Sequence, residues 1–397
     1  MLKRTLELFG FLFSKNLSRQ VRELYASTLI LDLAVSMVAI FEPVFLYVFF
    51  SRTNDLKGTL EMIIVFYLIV YVIDFFLLPV GAKFAKWFGY ENGIAFSTLF
   101  HIGFYLSLFS ANVFYPAIFL ATIFYALSKS FYWPAYHANF ARFSSIGEQG
   151  RQICNLYALE SVIFITGPLI GGLVLQFFNF KVLFVASSIL ILASSIPMLI
   201  TREVFEPKSF AYWDPIKKLF KKGNRRKFLA HCGYSEEWIA MTIWPIFMFI
   251  ILSNYLGLGF VSAISTFIST VLLLFIGRLT DKRGKAKILK LGVVLYLFSW
   301  LFRIVTRGYW SITLVNIYSR LSKNTISVPI ITGLYQKAQS SSVMGSIMFF
   351  ELSLVFSKIL AMVLVFLLLQ FFTPGWNSMF ILASLFTLLY LFFKKDL

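Results

Sequence analysis

Apolar runs of about twenty residues recur along this chain, separated by short polar connections, and that pattern leaves few folds open. A bilayer interior offers no hydrogen-bond partners, so a spanning segment must satisfy every backbone N–H and C=O within itself. A helix of about 20 apolar residues does so. Twelve such runs are laid out at 26–50, 59–80, 93–112, 115–138, 152–178, 181–200, 236–256, 259–277, 287–306, 309–333, 344–371 and 376–393. Only 14% of residues are charged, where a soluble domain carries about 25%, and 48 of the 397 residues are Phe. The expected fold class is an all-α polytopic membrane protein with twelve transmembrane helices.

A net charge of +18 would suggest a nucleic-acid partner in a soluble chain, so the placement of Lys and Arg decides. With the N-terminus inside, the inner segments hold 27 of the 36 bases, and the outer ones hold only Arg52, Lys57, Lys181 and Arg307. Cationic loops stay in the cytoplasm, which places both termini there, in a plasma or inner membrane, and makes a nucleic-acid partner unnecessary. Residues 1–22 mix Lys3, Arg4, Lys15, Arg19 and Arg22 with a short apolar patch, as an interfacial helix does and a cleavable leader does not. Cys154 and Cys232 share no ligand spacing with His101, His137 or His231, so neither a disulfide, a metal nor a cofactor is expected. No phosphate-binding loop of the Gly-x-x-x-x-Gly-Lys-Ser/Thr kind is present, which argues against ATP-driven pumping.

Residues 201–235 form the one long polar interval, with the basic run Lys217–Lys227 interrupted by Leu219 and Phe220. They divide a first unit, 1–200, from a second, 236–397, with six runs each. The basic stretch suits a short amphipathic helix on the cytoplasmic face, either a solvated linker or an anionic-lipid contact. The halves echo each other. Leu127-Ser128-Lys129 precedes Pro134 and Leu321-Ser322-Lys323 precedes Pro329; Glu160-Ser161 answers Glu351-Leu352-Ser353, and Glu42-Pro43 answers Trp244-Pro245. Two pseudo-symmetric six-helix bundles follow from such a repeat.

Between the eighth and ninth runs stands Gly277-Arg278-Leu279-Thr280-Asp281-Lys282-Arg283-Gly284-Lys285. Glycines permit a tight turn, the acid lies near a helix end, and the bases stay at the headgroups. The segment resembles the loop motif of the major facilitator superfamily, Gly-x-Leu-Ala-Asp-Arg-x-Gly-Arg-Lys. A degraded copy, Gly81-Ala82-Lys83-Phe84-Ala85-Lys86-Trp87-Phe88-Gly89, lies between runs 2 and 3 without the aspartate. Run 5 carries Gly167-Pro168-Leu169-Ile170-Gly171-Gly172, which resembles part of the motif of that superfamily's antiporters and which also suits plain close packing of helices. The resemblance implies a transporter working by alternating access around a cavity lined by runs 1, 4, 7 and 10. It also implies gating motifs at Gly277, Asp281, Arg283 and Gly284 and at Gly167, Pro168, Gly171 and Gly172, with Asp281 accepting hydrogen bonds near Gln152 and Ile153 at the start of run 5.

Ionisable residues at membrane depth each cost at least about 2.5–3.5 kcal/mol and are normally tied to function. The first half holds Asp32, Glu42, Asp74 and Glu160 with Lys129; the second holds Arg303, Arg320, Lys323 and Lys358 with Glu351. Asp32, Asp74, Lys129 and Glu160 fall at similar depth, and either pair structurally or carry protons. Asp32, Asp74, Glu160 and Glu351 are the candidate proton-coupling acids, with Asp32 preferred because run 1 faces the cavity. In the second half, Arg320 and Lys323 share a helix face, as do Glu351 and Lys358, so runs 10 and 11 are expected to pair or to leave cationic charge for a ligand. Arg303, close to the outer loop, is expected to snorkel. The candidate substrate-binding residues are Arg320, Lys323, Lys358, Glu42 and Lys129. Tyr132, Trp133, Tyr136 and His137 read as a headgroup aromatic belt or as a substrate vestibule.

The expectation is a monomeric, proton-coupled secondary transporter of a small anionic or amphipathic molecule, by efflux or antiport, with membrane lipid as its surroundings. An anion importer, a lipid flippase and a non-transporting receptor are the alternatives.

Overall fold

The computed structural model describes residues 18–144, 149–200, 213–280, 285–339, 342–372 and 375–395, and within them every regular element is helical. Twelve long helical runs follow one another: α1 (Arg19–Phe50), α2 (Leu56–Phe88), α3 (Tyr90–Ala111), α4 (Ala117–Phe143), α5 (Gln149–Phe177), α6 (Phe180–Ile200), α7 (Lys222–Leu252), α8 (Tyr255–Thr280), α9 (Lys285–Ile304), α10 (Tyr309–Gln339), α11 (Val343–Phe371) and α12 (Trp376–Phe393). A short helix, Asp214–Phe220, precedes α7 and packs on α11. The end of the molecule at which it lies is called the linker end below, and the opposite one the far end. Most of the 1–22 segment expected to lie at the interface falls outside the described residues.

Among the described residues nine of these helices are long and apolar enough to cross a membrane. The other three, α4, α9 and α10, are long but more polar: Lys129 and His137 lie in α4, Lys287, Lys290 and Arg303 in α9, and Arg320 and Lys323 in α10. Polar helices at depth need protein or a cavity around them rather than lipid.

Pairing follows a pseudo-two-fold rule. In the first bundle α2 packs on α4, α3 on α4 and α3 on α6; in the second α8 packs on α10, α9 on α10 and α9 on α12. The bundles meet where α2 lies on α11 and α5 on α8, which the same rule exchanges. Small residues permit that approach. A Cβ on Gly167 would strike Ser36 Oγ of α1, one on Gly171 would strike the Met37 carbonyl, and one on Gly259 of α8 would strike the Pro168 carbonyl. Gly172 faces Tyr255 and Leu256 of α8. The Gly167-Pro168…Gly171-Gly172 motif is thus a two-sided packing stripe, one side on α1 and the other on α8.

Several elements differ from the sequence expectation. The degraded motif at 81–89 is not a loop: α2 continues through Phe88, a Cβ on Gly81 would strike the Ser130 carbonyl of α4, and only Gly89 turns, at φ 101°. α1 is interrupted at Ile40–Phe41 and resumes at Glu42 with Pro43 in its first turn. α7 begins well before the expected 236 and passes through a π-helical stretch, Ile239–Ile243, ahead of Trp244-Pro245. Its residues Ala230 to Glu236 are all buried.

Candidate functional site

The middle of the second bundle is organised by two acids, Glu236 and Glu237, on the turn of α7 that precedes the π-helical stretch. Glu236 is 0% exposed. Its Oε1 pairs with Lys323 Nζ at 2.5 Å and accepts from Tyr390 OH at 3.0 Å, and its Oε2 accepts from Tyr296 OH at 2.6 Å. Glu237 bridges two bases, with Oε1 3.1 Å from Lys323 Nζ and Oε2 3.2 Å from Lys358 Nζ. Rings enclose the ladder: Lys323 lies 4.8 Å above both Tyr234 and Tyr390, and Lys358 lies 5.8 Å from the Tyr71 ring of α2.

This arrangement corrects the charge count made from sequence. Lys323 and Lys358 are not surplus cations: both are neutralised by α7, and among the described residues no ion pair joins α10 to α11. Glu351 is not the partner of Lys358 either. Its Oε1 lies 3.2 Å from His137 Nε2 of α4, and His137 Nδ1 hydrogen-bonds Tyr335 OH of α10 at 2.7 Å. His137 is therefore a buried cross-bundle contact rather than part of a headgroup belt.

The two arginines stand apart from this ladder. Arg303, expected to snorkel, is 3% exposed, lies 3.7 Å from the Trp300 ring and 4.7 Å from that of Trp244, and donates from Nη2 to Ser319 Oγ at 3.0 Å. The flat cation is solvated by π-faces in place of water. Arg320 donates from Nη2 to Ser262 Oγ of α8 at 3.2 Å and has no carboxylate partner among the described residues.

In the first bundle, Glu42 accepts from Tyr67 OH at 3.0 Å, and Asp74 accepts from Ser130 Oγ at 2.6 Å. Lys129 lies between Tyr71 at 4.9 Å and Tyr125 at 5.1 Å, where its field reaches both Glu42 and Asp74. The field of Lys358 reaches Asp74 as well. The expected meeting of Asp32, Asp74, Lys129 and Glu160 therefore splits in two. Asp32 of α1 and Glu160 of α5 sit close enough for their charges to interact, with no base partner among the described residues. From Glu42 through Lys129 and Asp74 to Lys358, Glu237, Lys323 and Glu236, acids and bases thus form a layer across both bundles.

The two bundles touch on either side of this layer. At the linker end α4 packs on α10 and α11, with the Phe140 and Tyr335 rings 4.9 Å apart. At the far end the Glu42–Phe50 segment of α1 packs on Trp244–Leu252 of α7, and Gln370 of α11 donates to Glu61 of α2 at 3.0 Å. The gate residues Asp281, Arg283 and Gly284 lie outside the described residues, and Gly277 lies in the last turns of α8.

No family model matches the sequence, and no curated protein is recognisably similar to it. Solved structures are. A crystal structure of a D-xylose–proton symporter superposes with a TM-score of 0.68 at 10% identity, over 93% of this chain and 96% of that one. An auto-inhibited POT-family peptide transporter gives 0.66 at 12% identity, over 94% and 96%. A Major Facilitator Superfamily transporter in the outward conformation gives 0.65 at 11%, over 94% and 97%. This is the major facilitator fold. At such identities the likeness lies in the path of the backbone, and the polar side chains that fill this particular facilitator fold have to be read on their own terms.

Proposed function

We propose that this chain is a secondary active transporter that works by alternating access. It moves a small organic molecule bearing a negative group and couples that movement to protons. The observation that carries the reading is the charged layer. Its members are divided between two bundles that touch at both ends, so rocking one bundle on the other pulls Lys358 away from Asp74 and Tyr71 while Glu237 travels with it. Buried charges kept at this cost and placed on a moving interface are what a coupled carrier requires.

Arg320 is the proposed substrate contact, because it is a central cation whose guanidinium has one hydroxyl partner and no carboxylate among the described residues. A carboxylate or phosphate would take two parallel bonds from it. Lys323, Lys358, Lys129 and Glu42 line the same layer and set its field. Asp32 and Glu160 form the proposed proton site, because they are acids of the packed helices α1 and α5, close enough for their charges to interact and without a base partner among the described residues. Glu42 and Asp74, both within the field of Lys129, are the second choice, and Glu351 at His137 follows. Efflux or antiport is the favoured mode. Symport of proton and substrate is the second reading, supported by the fold shared with a D-xylose–proton symporter. The basic linker end faces the cytoplasm by its excess of Lys and Arg, the membrane is the plasma or inner membrane, and the carrier acts as a monomer.

The test is flux in proteoliposomes over a panel of anions, cations and lipids, with and without an imposed pH gradient. Accumulation of an anion that collapses when the gradient is dissipated supports the reading. Lipid movement indifferent to the gradient, or no flux of any solute, opposes it.

A further inference from the structure

Away from the central layer, a cavity of about 300 Å³ opens at the far end of the first bundle, between the tips of α1, α3 and α6. Its floor is aromatic, made by Phe45 and Phe49 of α1 and Phe180 of α6, with the Phe45 and Phe180 rings 5.1 Å apart. Its rim carries Arg52 and Lys181 with two amides, Asn112 and Asn179. Arg52 is positioned by donating from Nη1 to Asn112 Oδ1 at 2.8 Å and lies 5.9 Å from the Phe49 ring. Lys181 Nζ lies 5.4 Å from the Phe109 ring.

Two features set this cavity apart from an ordinary surface crevice. No acid lines it, and neither Arg52 nor Lys181 has an ion-pair partner among the described residues. The far side of the chain is also poor in bases, with only Arg52, Lys57, Lys181 and Arg307 outside the spans, yet two of these four converge here. The first turn of α6, capped by Asn179, adds its own positive end at the rim.

We propose that this cavity is a second, peripheral binding site for an amphipath with an anionic head and a compact apolar body. The head lies between Arg52 and Lys181, and the body against the half-buried Phe180 ring, with the buried Phe45 and Phe49 rings behind it. Two sources share that chemistry, the phosphate end of an outer-leaflet lipid and a free aromatic carboxylate, and a volume near the lower bound for small-molecule pockets favours a short body in either case. The site does not depend on the role assigned to Arg320.

The experiment is ligand binding to the full chain purified in a non-ionic detergent, with three probes: dihexanoyl phosphatidylglycerol, dihexanoyl phosphatidylcholine and 4-phenylbutyrate. The expected result is saturable binding of phosphatidylglycerol, phenylbutyrate or both. Affinity should fall at least about tenfold in Arg52→Ala/Lys181→Ala and in the exposed charge reversal Lys181→Glu, because charge-assisted contacts are lost. Binding of the lipid alone assigns the source to the membrane, and binding of phenylbutyrate alone assigns it to solution. Arg320→Ala should leave this binding intact, which separates the peripheral site from the central one. The proposal is overturned if phosphatidylcholine binds as tightly as phosphatidylglycerol, if no probe binds, or if monodisperse Lys181→Glu protein binds like the wild type. It is equally overturned if Arg320→Ala removes the binding and the rim variants do not.

Discussion

Glu237→Gln is the sharpest perturbation of the buried ladder, because Glu237 is shared. Its Oε1 holds Lys323 at 3.1 Å and its Oε2 holds Lys358 at 3.2 Å. The two lysines are not equally exposed to the loss. Lys323 keeps Glu236 and the hydroxyl of Tyr390, whereas Lys358 keeps no ion pair among the described residues, with the Tyr71 ring at 5.8 Å and the more distant fields of Glu351 and Asp74 as its remaining support. Removing one partner of a buried pair costs about 3–5 kcal/mol, mostly as the stranded charge. The double variant Glu237→Gln/Lys358→Met strands nothing, so it should be less destabilised than the sum of the single variants, with a coupling of about 2 kcal/mol, inside the range for contacting residues. Thermal melting of detergent-purified protein ranks the three variants. The expected order places Glu237→Gln lowest and the double variant clearly above it. A double variant that melts at or below Glu237→Gln would show that Lys358 is not stranded by the loss, and the ladder reasoning would fail.

Three further outcomes follow from the geometry. Arg320→Lys should weaken binding of an anionic substrate although it keeps the charge, and Arg320→Ala should weaken it more, by at least about tenfold; wild-type affinity in Arg320→Ala, read by equilibrium binding, would rule out the anion contact. Gly259→Val should lower stability by about 1–3 kcal/mol or more, because its side chain meets the Pro168 carbonyl at the α5–α8 seam, whereas Gly308→Val, where nothing lies within 4 Å, should melt like the wild type. Asp32→Asn should abolish accumulation driven by a pH gradient while sparing substrate-for-substrate exchange in proteoliposomes; driven accumulation that survives moves the proton site to Glu42 or Asp74.

Much of this architecture was legible because hydropathy and charge bias act on whole segments. The long apolar runs, the basic stretch around the start of α7 and the ordered echoes between Lys129 and Lys323 all correspond to features of the folded chain. The packing role of Gly167, Gly171 and Gly172 was also readable, since small residues on one helix face have few other uses in lipid. What sequence missed was partner choice. Glu236 and Glu237 are the first two residues of run 7, so they read as its inner end and not as charges at depth, yet α7 starts early and carries them to the centre. A signal was available: Lys323 and Lys358 lacked enough acids in their own half, and Tyr234-Ser235-Glu236-Glu237-Trp238 was the nearest acidic stretch with aromatic flanks. His137 and Arg303 were misplaced for a related reason. Residue type and distance from a loop do not tell whether a neighbouring helix covers a side chain, and Tyr335 and the pair Trp244 and Trp300 do so here.

Alternating access is the central claim, and paired distances at the two ends of the molecule test it most directly. Spin labels placed at the exposed Val113 and Trp310 report the far end, and labels at Trp87 and the exposed Gln336 report the linker end, in protein lacking Cys154 and Cys232. Pulsed-resonance distances should shift in opposite senses as pH and substrate are varied, one pair lengthening where the other shortens. A single fixed distance at both ends under every condition, or two distances that lengthen together, would contradict the account.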